Sequence, residues 1–255
     1  MDKKTHFARL FIFVGMFIIS MFNIVTHQID SSKQERIFAD LSDMIQQNIE
    51  SNDTSHIQYD EDKFFINEYF DLFTQNTDMV GWIRIDDTKI NYPVMQSIDR
   101  PDFYLKHGFD KEYTDYGCPY VREICDVQEP SDNIVIYGHN MADGTMFSQL
   151  VNYSKKSFWQ EHKTIHFDTL TDYGEYEILA VFKTVVYKQS DEAFPYYRYT
   201  DFNSVTEYAE FVNKCKELSL YDTGVDAVYG DKLITLSTCE FSRQNGRLVV
   251  VAKKI

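Results

Sequence analysis

The sequence predicts a mainly β protein: an eight-stranded β-barrel preceded by N-terminal helices, with one further helix inserted before the strand that ends at Cys239. Three observations lead to this fold. Eight short segments rich in Val, Ile, Tyr, Phe and Thr follow residue 81. Turn residues separate these segments, and one long helical pattern lies among them. A closed barrel is expected of so many short strands, because closure leaves no sheet edge exposed.

The first element is an apolar run from Leu10 to Val25, preceded by Lys3, Lys4 and Arg9. As a helix this run spans about 24 Å, slightly less than the ~30 Å hydrocarbon core of a membrane. A membrane anchor and a cleaved signal peptide both fit this length. We favour an anchor within residues 1–26, because no small-x-small cleavage site follows the run. The preceding basic residues then place the N-terminus in the cytoplasm and the rest of the chain outside the membrane.

Residues 27–60 are polar and contain helix-forming stretches, so we predict a helical stalk or linker with a break at residues 51–55. Residues 61–75 place Phe, Tyr, Ile and Leu at helical spacing, which predicts a helix that packs on the following domain. The chain is therefore divided into a cytoplasmic tail and anchor over 1–26, a stalk over 27–60 and a folded domain over 61–255.

The folded domain consists mostly of short strands. The predicted strands are Trp82–Ile85, Tyr92–Gln96, Pro119–Arg122, Asn133–Tyr137, Thr164–Asp168, Tyr176–Tyr187, Lys232–Thr238 and Arg247–Lys253. A helix is predicted over residues 204–218, capped by Asn203 or Ser204. Its buried face is expected to consist of Val205, Tyr208, Phe211, Val212, Cys215 and Leu218, which recur every three or four residues.

Composition excludes some functions. The formal net charge of −15 disfavours a nucleic-acid partner, since no cluster of Lys and Arg offsets it. The sequence contains no CxxC pair, so no structural zinc is expected, and nothing in it indicates a cofactor. Cys118 and Cys125 are close enough to form a disulfide but are equally compatible with buried thiols. Cys215 lies within the helical pattern and is predicted to be a core residue.

Cys239 is the strongest candidate nucleophile. It ends the strand Leu-Ile-Thr-Leu-Ser-Thr-Cys, at the point where the apolar pattern stops. Thr235, Ser237 and Cys239 share one face of this strand, because successive side chains alternate. A strand end holds a thiol rigidly while leaving its sulfur accessible, whereas an arbitrary strand cysteine is usually inert and buried.

Two further residues complete a candidate catalytic group. His139 directly follows the apolar strand Asn-Ile-Val-Ile-Tyr and Gly138, which permits a close backbone approach. Arg247 begins the last strand after the loop over residues 240–246, so a hairpin would place it opposite Cys239, about 5 Å away at Cβ. A cysteine needs a base to form its thiolate, an acid for the leaving amine and a positive charge for the oxyanion.

These motifs together resemble those of sortases, the bacterial surface transpeptidases built on an eight-stranded barrel. The resemblance rests on Thr-Leu-Ser-Thr-Cys at 235–239, Tyr-Gly-His-Asn-Met at 137–141 and Arg247 eight residues after the cysteine. It extends over about residues 65–255, and the helix at 204–218 resembles class B sortases in particular. The anchor and stalk that precede this region are also typical of the family.

The resemblance implies a function. Cys239 would cleave a C-terminal sorting motif of a secreted protein after threonine, forming a thioester that a cell-wall precursor amine resolves. His139 would be the acid and base, and Arg247 would hold the substrate carbonyl or oxyanion. Two alternatives remain at this point: a secreted cysteine peptidase that transfers to water, and an exported β-barrel binding module without enzymatic activity.

Overall fold

The computed structural model describes residues 3–51, 57–60, 63–186 and 194–255. The chain divides into two compact units, residues 1–40 and residues 41–255. The second unit contains all the described strands. The division predicted at residues 26 and 60, into anchor, stalk and folded domain, stays a prediction.

Helix α1 runs from Lys3 to Glu50. Its stretch from Ile12 onward is long and apolar enough to cross a membrane, by length and composition. Large apolar side chains of this stretch are exposed, for example Phe17 and Phe22 at 65% and 67%. A membrane anchor and a signal sequence near the N-terminus both have these properties.

A short hairpin and helix lead into the barrel. Strands β1 (Ile57–Asp60) and β2 (Lys63–Phe65) pair antiparallel, and helix α2 (Asn67–Gln75) follows. The helix predicted over 61–75 is therefore wrong at its start, because residues 63–65 form backbone bonds with β1 instead. Residues 61–62, like most of the break predicted at 51–55, lie outside the described residues.

Eight strands close into a barrel in the order β10-β8-β7-β3-β4-β5-β6-β9. The strands are β3 (Met79–Arg84), β4 (Asn91–Met95), β5 (Tyr120–Val121), β6 (Asn133–Tyr137), β7 (Thr164–Thr169), β8 (Glu175–Val185), β9 (Leu233–Glu240) and β10 (Gly246–Lys254). Two neighbouring pairs, β4 with β5 and β6 with β9, are parallel, and the others are antiparallel. The predicted eight-stranded barrel is confirmed.

Every predicted strand occurs; β6 has the predicted bounds, and each of the others differs at one or both ends. Strand β3 begins three residues earlier than predicted, and β5 keeps only Tyr120 and Val121 of the four residues expected. Tyr187, predicted to end the sixth strand, lies outside the described residues. The core contains apolar side chains from both faces of the strands: in β8, Ile178, Ala180 and Phe182 are 0% exposed, and the intervening Leu179 and Val181 are buried as well.

The remaining helices are α3 (Lys156–Glu161) and α4 (Val205–Leu218), the helix predicted before the Cys239 strand. Ser204 caps α4 by accepting a hydrogen bond from the Glu207 backbone at 3.1 Å. Tyr208, Phe211, Val212 and Cys215 are buried, as predicted. Val205 is 64% exposed, contrary to the prediction, because it occupies the first position of the helix.

Candidate active site

Two parallel strands bring His139 and Cys239 to the same end of the barrel. Strands β6 and β9 pair in parallel, with Tyr137 opposite Ser237. His139 and Cys239 each lie two residues beyond this pair, on strands that are about 5 Å apart. The chains stay together past it, because the Gly138 N–H donates to the Ser237 carbonyl at 3.1 Å.

Side chains reinforce this alignment. The Thr238 hydroxyl donates to the Gly138 carbonyl at 2.8 Å, and the Asn140 amide donates to the Cys239 carbonyl at 2.8 Å. These bonds cross between the two strand ends on either side of His139 and Cys239. Hydrogen bonds therefore hold the backbone around His139 directly against the backbone around Cys239.

Gly138 allows this approach because a side chain would not fit. A Cβ atom at this position would lie 2.5 Å from the Phe147 ring, and Phe147 is fully buried. The Phe147 N–H in turn donates to the His139 carbonyl at 2.8 Å. The glycine noted in the sequence therefore serves a close approach of the loop to the strand end.

A hairpin places Arg247 opposite Cys239. Strands β9 and β10 pair antiparallel, and Arg247 is the direct partner of Cys239 in the register. Opposed residues point to the same face of a sheet, so the two side chains are neighbours. Asn245, with a φ of +57°, and Gly246 form the turn, and the Gly246 N–H donates to the Arg243 carbonyl at 3.1 Å.

Cys239 differs from the other cysteines in its access to solvent. It is half-buried, whereas Cys118, Cys125 and Cys215 are buried, and all four are free thiols. Burial raises the pKa of the Cys118 and Cys215 thiols, and it raises the pKa of Cys125 to about 11. The three buried thiols are therefore poor nucleophiles at neutral pH.

His139 is held by a backbone carbonyl. Its Nε2 atom lies 2.7 Å from the carbonyl oxygen of Leu105. Because a carbonyl oxygen only accepts, Nε2 carries the hydrogen, and in the neutral ring Nδ1 keeps the lone pair. Burial lowers the pKa of His139; the bond to Leu105 opposes this effect, Lys106 lowers the pKa further and Asp115 raises it.

Two further residues at this site were not predicted from the sequence. The Tyr196 hydroxyl lies 2.6 Å from the Ser237 hydroxyl, on the face of β9 that carries Cys239. Burial raises the pKa of Tyr196 to about 12, although the bond to Ser237 and the charge of Arg247 oppose it. Leu105 takes part only through its backbone. Neither residue belongs to a local motif, so sequence spacing gave no signal for them.

Glu240 stabilises the turn that follows Cys239. Its carboxylate accepts a hydrogen bond from Lys183 at 2.9 Å and others from the backbone and hydroxyl of Ser242. Burial alone would raise the pKa of Glu240, but these bonds outweigh burial and lower it. Within the described residues, no group of three or more His, Cys, Asp or Glu is arranged to hold a metal ion.

Comparison with known proteins agrees with this geometry. The sequence model of the Sortase domain family matches residues 83–255. Sortase B of Listeria monocytogenes is 38% identical over 192 residues, 74% of each chain, and sortase B of Staphylococcus aureus is 37% identical over 182 residues, 71% of each chain.

Solved structures agree as well. Sortase B from Bacillus anthracis in complex with AAEK1 superposes with a TM-score of 0.74 at 31% identity, over 89% of this chain and 98% of that one. The substrate complex of Staphylococcus aureus sortase B gives 0.73 at 28% identity, over 89% and 97%. With a family match from residue 83 to the end and relatives of this similarity, the chain belongs to the sortase family of cysteine transpeptidases and, within it, to class B.

Proposed function

We propose that this transpeptidase is anchored in the cell membrane by its N-terminal helix and acts outside the cytoplasm. It cleaves a C-terminal sorting motif of secreted proteins after threonine and transfers the protein to an amine of a cell-wall precursor. Cys239 is the nucleophile, His139 the acid and base, and Arg247 the electrostatic partner. The observation that carries the proposal is the side-by-side placement of Cys239 and Arg247 with His139 at the adjoining strand end.

The first half of the reaction forms a thioester. The Cys239 thiol gives its proton to Nδ1 of His139, and the sulfur attacks the threonine carbonyl carbon. The carbonyl oxygen becomes an oxyanion, which the Arg247 guanidinium stabilises. The C–N bond then breaks, and the imidazolium returns its proton to the leaving amine.

The second half reverses the roles. An amine of the acceptor attacks the thioester carbonyl and loses a proton to His139. The C–S bond breaks, a new peptide bond forms, and the Cys239 sulfur takes the proton back. For transfer to compete with hydrolysis, the acceptor amine must be bound and oriented, because positioning gives effective concentrations far above those of free solutes.

The membrane location rests on helix α1 and its flanks. Lys3, Lys4 and Arg9 precede the apolar run, which supports a cytoplasmic N-terminus by the excess of positive charge. The catalytic unit then lies on the side where secreted proteins and cell-wall precursors are found. The net charge of −15 is opposite in sign to an amine acceptor and disfavours nucleic acid.

The test is a product analysis. The catalytic unit is incubated with a library of threonine-containing sorting peptides and with increasing concentrations of a primary amine, and the products are read by mass. We expect slow hydrolysis without amine and a new amide whose yield rises with amine concentration. Hydroxylamine should trap the thioester at Cys239 as a hydroxamate of the peptide.

Two controls separate this proposal from its alternatives. Cys239→Ala should give no product, and Cys215→Ala, at a buried cysteine of α4, should keep turnover. Rapid cleavage in water with no amide from any amine, including mimics of peptidoglycan stems, would show a peptidase instead. A Cys239 that resists substrate-like electrophiles and supports no turnover would indicate a binding module.

A further inference from the structure

Arg122 is a half-buried cation without an acidic partner. Its guanidinium donates to the Tyr197 carbonyl at 2.6 Å, and its Cζ atom lies 5.0 Å from the centre of the Tyr197 ring. It pairs with no carboxylate that the structure describes, although the chain contains 40 Asp and Glu residues. Its buried Nε atom has no hydrogen-bond partner among these residues either. An unpaired half-buried charge and an unpaired buried donor both cost free energy, which indicates a place for an acceptor.

The strand register places Arg122 on the face of the barrel that carries Cys239. Tyr120 of β5 is the partner of Tyr137 in β6, and Tyr137 is the partner of Ser237 in β9. Paired residues point to the same face of a sheet, and so do residues two positions apart on one strand. Arg122 lies two positions after Tyr120, and Cys239 lies two positions after Ser237. Both side chains therefore belong to one face, which we call the Cys239 face.

Contacts of the side chain agree with this placement. Tyr196, the neighbour of Tyr197, bonds through its hydroxyl to Ser237 at 2.6 Å, so the segment that Arg122 contacts lies against the Cys239 face. Burial raises the pKa of the Tyr137 hydroxyl, and the charge of Arg122 opposes this effect, as expected of close neighbours. The guanidinium therefore lies on the same side of β6 as Tyr137.

The distance along the face corresponds to a few residues of an extended peptide. The Arg122 N–H donates to the Val135 carbonyl at 2.9 Å, so Arg122 lies at the level of Val135. Four residues separate Val135 from His139, which is about 13 Å of extended chain. A peptide with its threonine carbonyl at Cys239 that runs along this face covers the same distance in about four residues. The long side chain of Arg122 then meets a residue three to five positions before the threonine.

We propose that Arg122 is a specificity-determining residue that binds an acidic side chain, Asp or Glu, three to five positions before the threonine of the substrate. The inference rests on the proposed function, because it names a further feature of the same substrate. A carboxylate neutralises the unpaired guanidinium and accepts charge-assisted hydrogen bonds, which are roughly twice as strong as those of an amide. The contact is remote from the reacting atoms and equal in ground and transition states. It therefore lowers KM and leaves kcat unchanged.

The test compares acid and amide side chains of the same size. In a threonine-containing peptide that the catalytic unit cleaves, Asp, Asn, Glu and Gln are placed in turn at the third, fourth and fifth positions before the threonine. At constant ionic strength, we expect the acid to lower KM by about fivefold relative to its amide at one of these positions, with the same kcat. Equal KM values for acid and amide at all three positions, or a preference for the amide, would overturn the proposal.

Charge reversal assigns the preference to Arg122. Arg122→Gln should remove the difference between acid and amide, and Arg122→Glu should reverse it, so that Lys at the same position gives a lower KM than Asp or Glu. A general loss of folding cannot produce this reversal. Arg198→Gln is the matched control, because Arg198 is exposed and its Cζ atom lies 6.0 Å from the centre of the same Tyr197 ring. A preference that persists in Arg122→Glu, or that Arg198→Gln removes equally, would contradict the assignment.

Binding without turnover separates this proposal from the proposed function. The same peptides, labelled with a fluorophore, are titrated with the Cys239→Ala variant and read by fluorescence anisotropy. The acid peptide should bind about fivefold more tightly than its amide, and Cys239→Ala combined with Arg122→Gln should remove this difference. If no peptide is cleaved or transferred but the acid still binds more tightly, the proposed function fails and the role of Arg122 stands. Turnover without a preference for the acid leaves the function standing and refutes the role of Arg122.

Discussion

At the scale of single residues, the four cysteines differ in access. Cys239 is half-buried, and the other three thiols are buried. We predict that Cys239→Ala abolishes turnover and changes the unfolding temperature by only a few degrees, since a small, half-buried strand-end side chain contributes little packing. Iodoacetamide at neutral pH should label Cys239 alone, as read by mass. Activity lost in Cys118→Ala without unfolding, and kept in Cys239→Ala, would contradict the assignment.

Arg247 tests whether a fixed positive charge stabilises the oxyanion. Arg247→Lys should lower kcat/KM by at least tenfold, because a point ammonium does not reproduce a planar fork of donors. Arg243→Lys is the matched control, since Arg243 is an exposed residue of the same turn, and it should leave kcat/KM unchanged. If neither substitution lowers kcat/KM, a positive charge at residue 247 would be sufficient and the planar fork of donors would not be needed.

We predict that the protonation of His139 sets the acidic limb of the pH profile. Proton transfer through the Cys239–His139 pair requires one proton shared by the two groups, so kcat/KM should be bell-shaped in pH. Since burial lowers the pKa of His139, the acidic midpoint should lie below the ordinary histidine value of about 6.5. A rate that only rises with hydroxide, or an acidic midpoint above this value, would argue against His139 as the proton donor.

Lys106 provides the control for this pH dependence. Its positive charge lowers the pKa of His139, and its ammonium also pairs with Asp115, whose charge raises that pKa. Lys106→Gln removes the positive charge that lowers the pKa of His139. It also leaves the Asp115 carboxylate without its lysine partner, so that its charge raises this pKa more strongly. The acidic limb should therefore move to higher pH. Lys111→Gln, at a lysine paired with Asp78, should leave the limb in place.

The sequence predicted the residues of the candidate site that lie in contiguous motifs. Cys239 and Arg247 were placed opposite each other because a strand, a short turn and a second strand have few possible registers. The contact of Tyr196 with Ser237 spans 41 residues and depends on how the chain returns to the barrel after β8. The Leu105 carbonyl is present in any residue type, so no side-chain pattern could indicate it.

At the scale of elements, the fit of β6 against the loop that follows it depends on Gly138. Gly138→Ala would bring a Cβ within 2.5 Å of the Phe147 ring, so we expect destabilisation of about 1–3 kcal/mol and reduced turnover. The double variant Gly138→Ala with Phe147→Leu should recover part of this loss, which a double-mutant cycle in urea measures. Costs that simply add would place the conflict elsewhere.

The barrel strands were predictable because their apolar and β-branched residues are bounded by turns. Strand β5 was predicted too long, because only Tyr120 and Val121 pair with the antiparallel neighbour β6, and only Tyr120 pairs with the parallel neighbour β4. The segment before α2 was predicted as helix because its phenylalanines have helical spacing. Pairing of β2 with β1 overrides that local preference, which is how tertiary contacts commonly defeat short patterns.

At the scale of the whole molecule, the proposed membrane location rests on the apolar part of α1. Its large side chains, such as Phe13 and Phe22, are exposed to more than half of their full area. Such an exposed apolar surface is unfavourable in water and favourable in a membrane. We predict that the full chain sediments with membranes, whereas a chain that begins at His27 is soluble without detergent. Both forms should cleave a short sorting peptide with the same kcat/KM, because residues 41–255 form a compact unit that contains the site.

The full chain and the chain that begins at His27 should differ in the rate of transfer to a membrane-bound acceptor. An anchored enzyme and a membrane-bound cell-wall precursor share a thin layer at the surface, which raises their effective concentration relative to bulk solution. Transfer to a precursor in vesicles should therefore be faster for the full chain, while transfer to a soluble amine should be equal. A sequence-scrambled apolar run of the same composition should retain the advantage, since anchoring requires only length and apolarity. Expression of the full sequence that yields protein in the medium without residues 10–25 would instead identify a cleaved signal peptide. The advantage of the anchored form should then be absent.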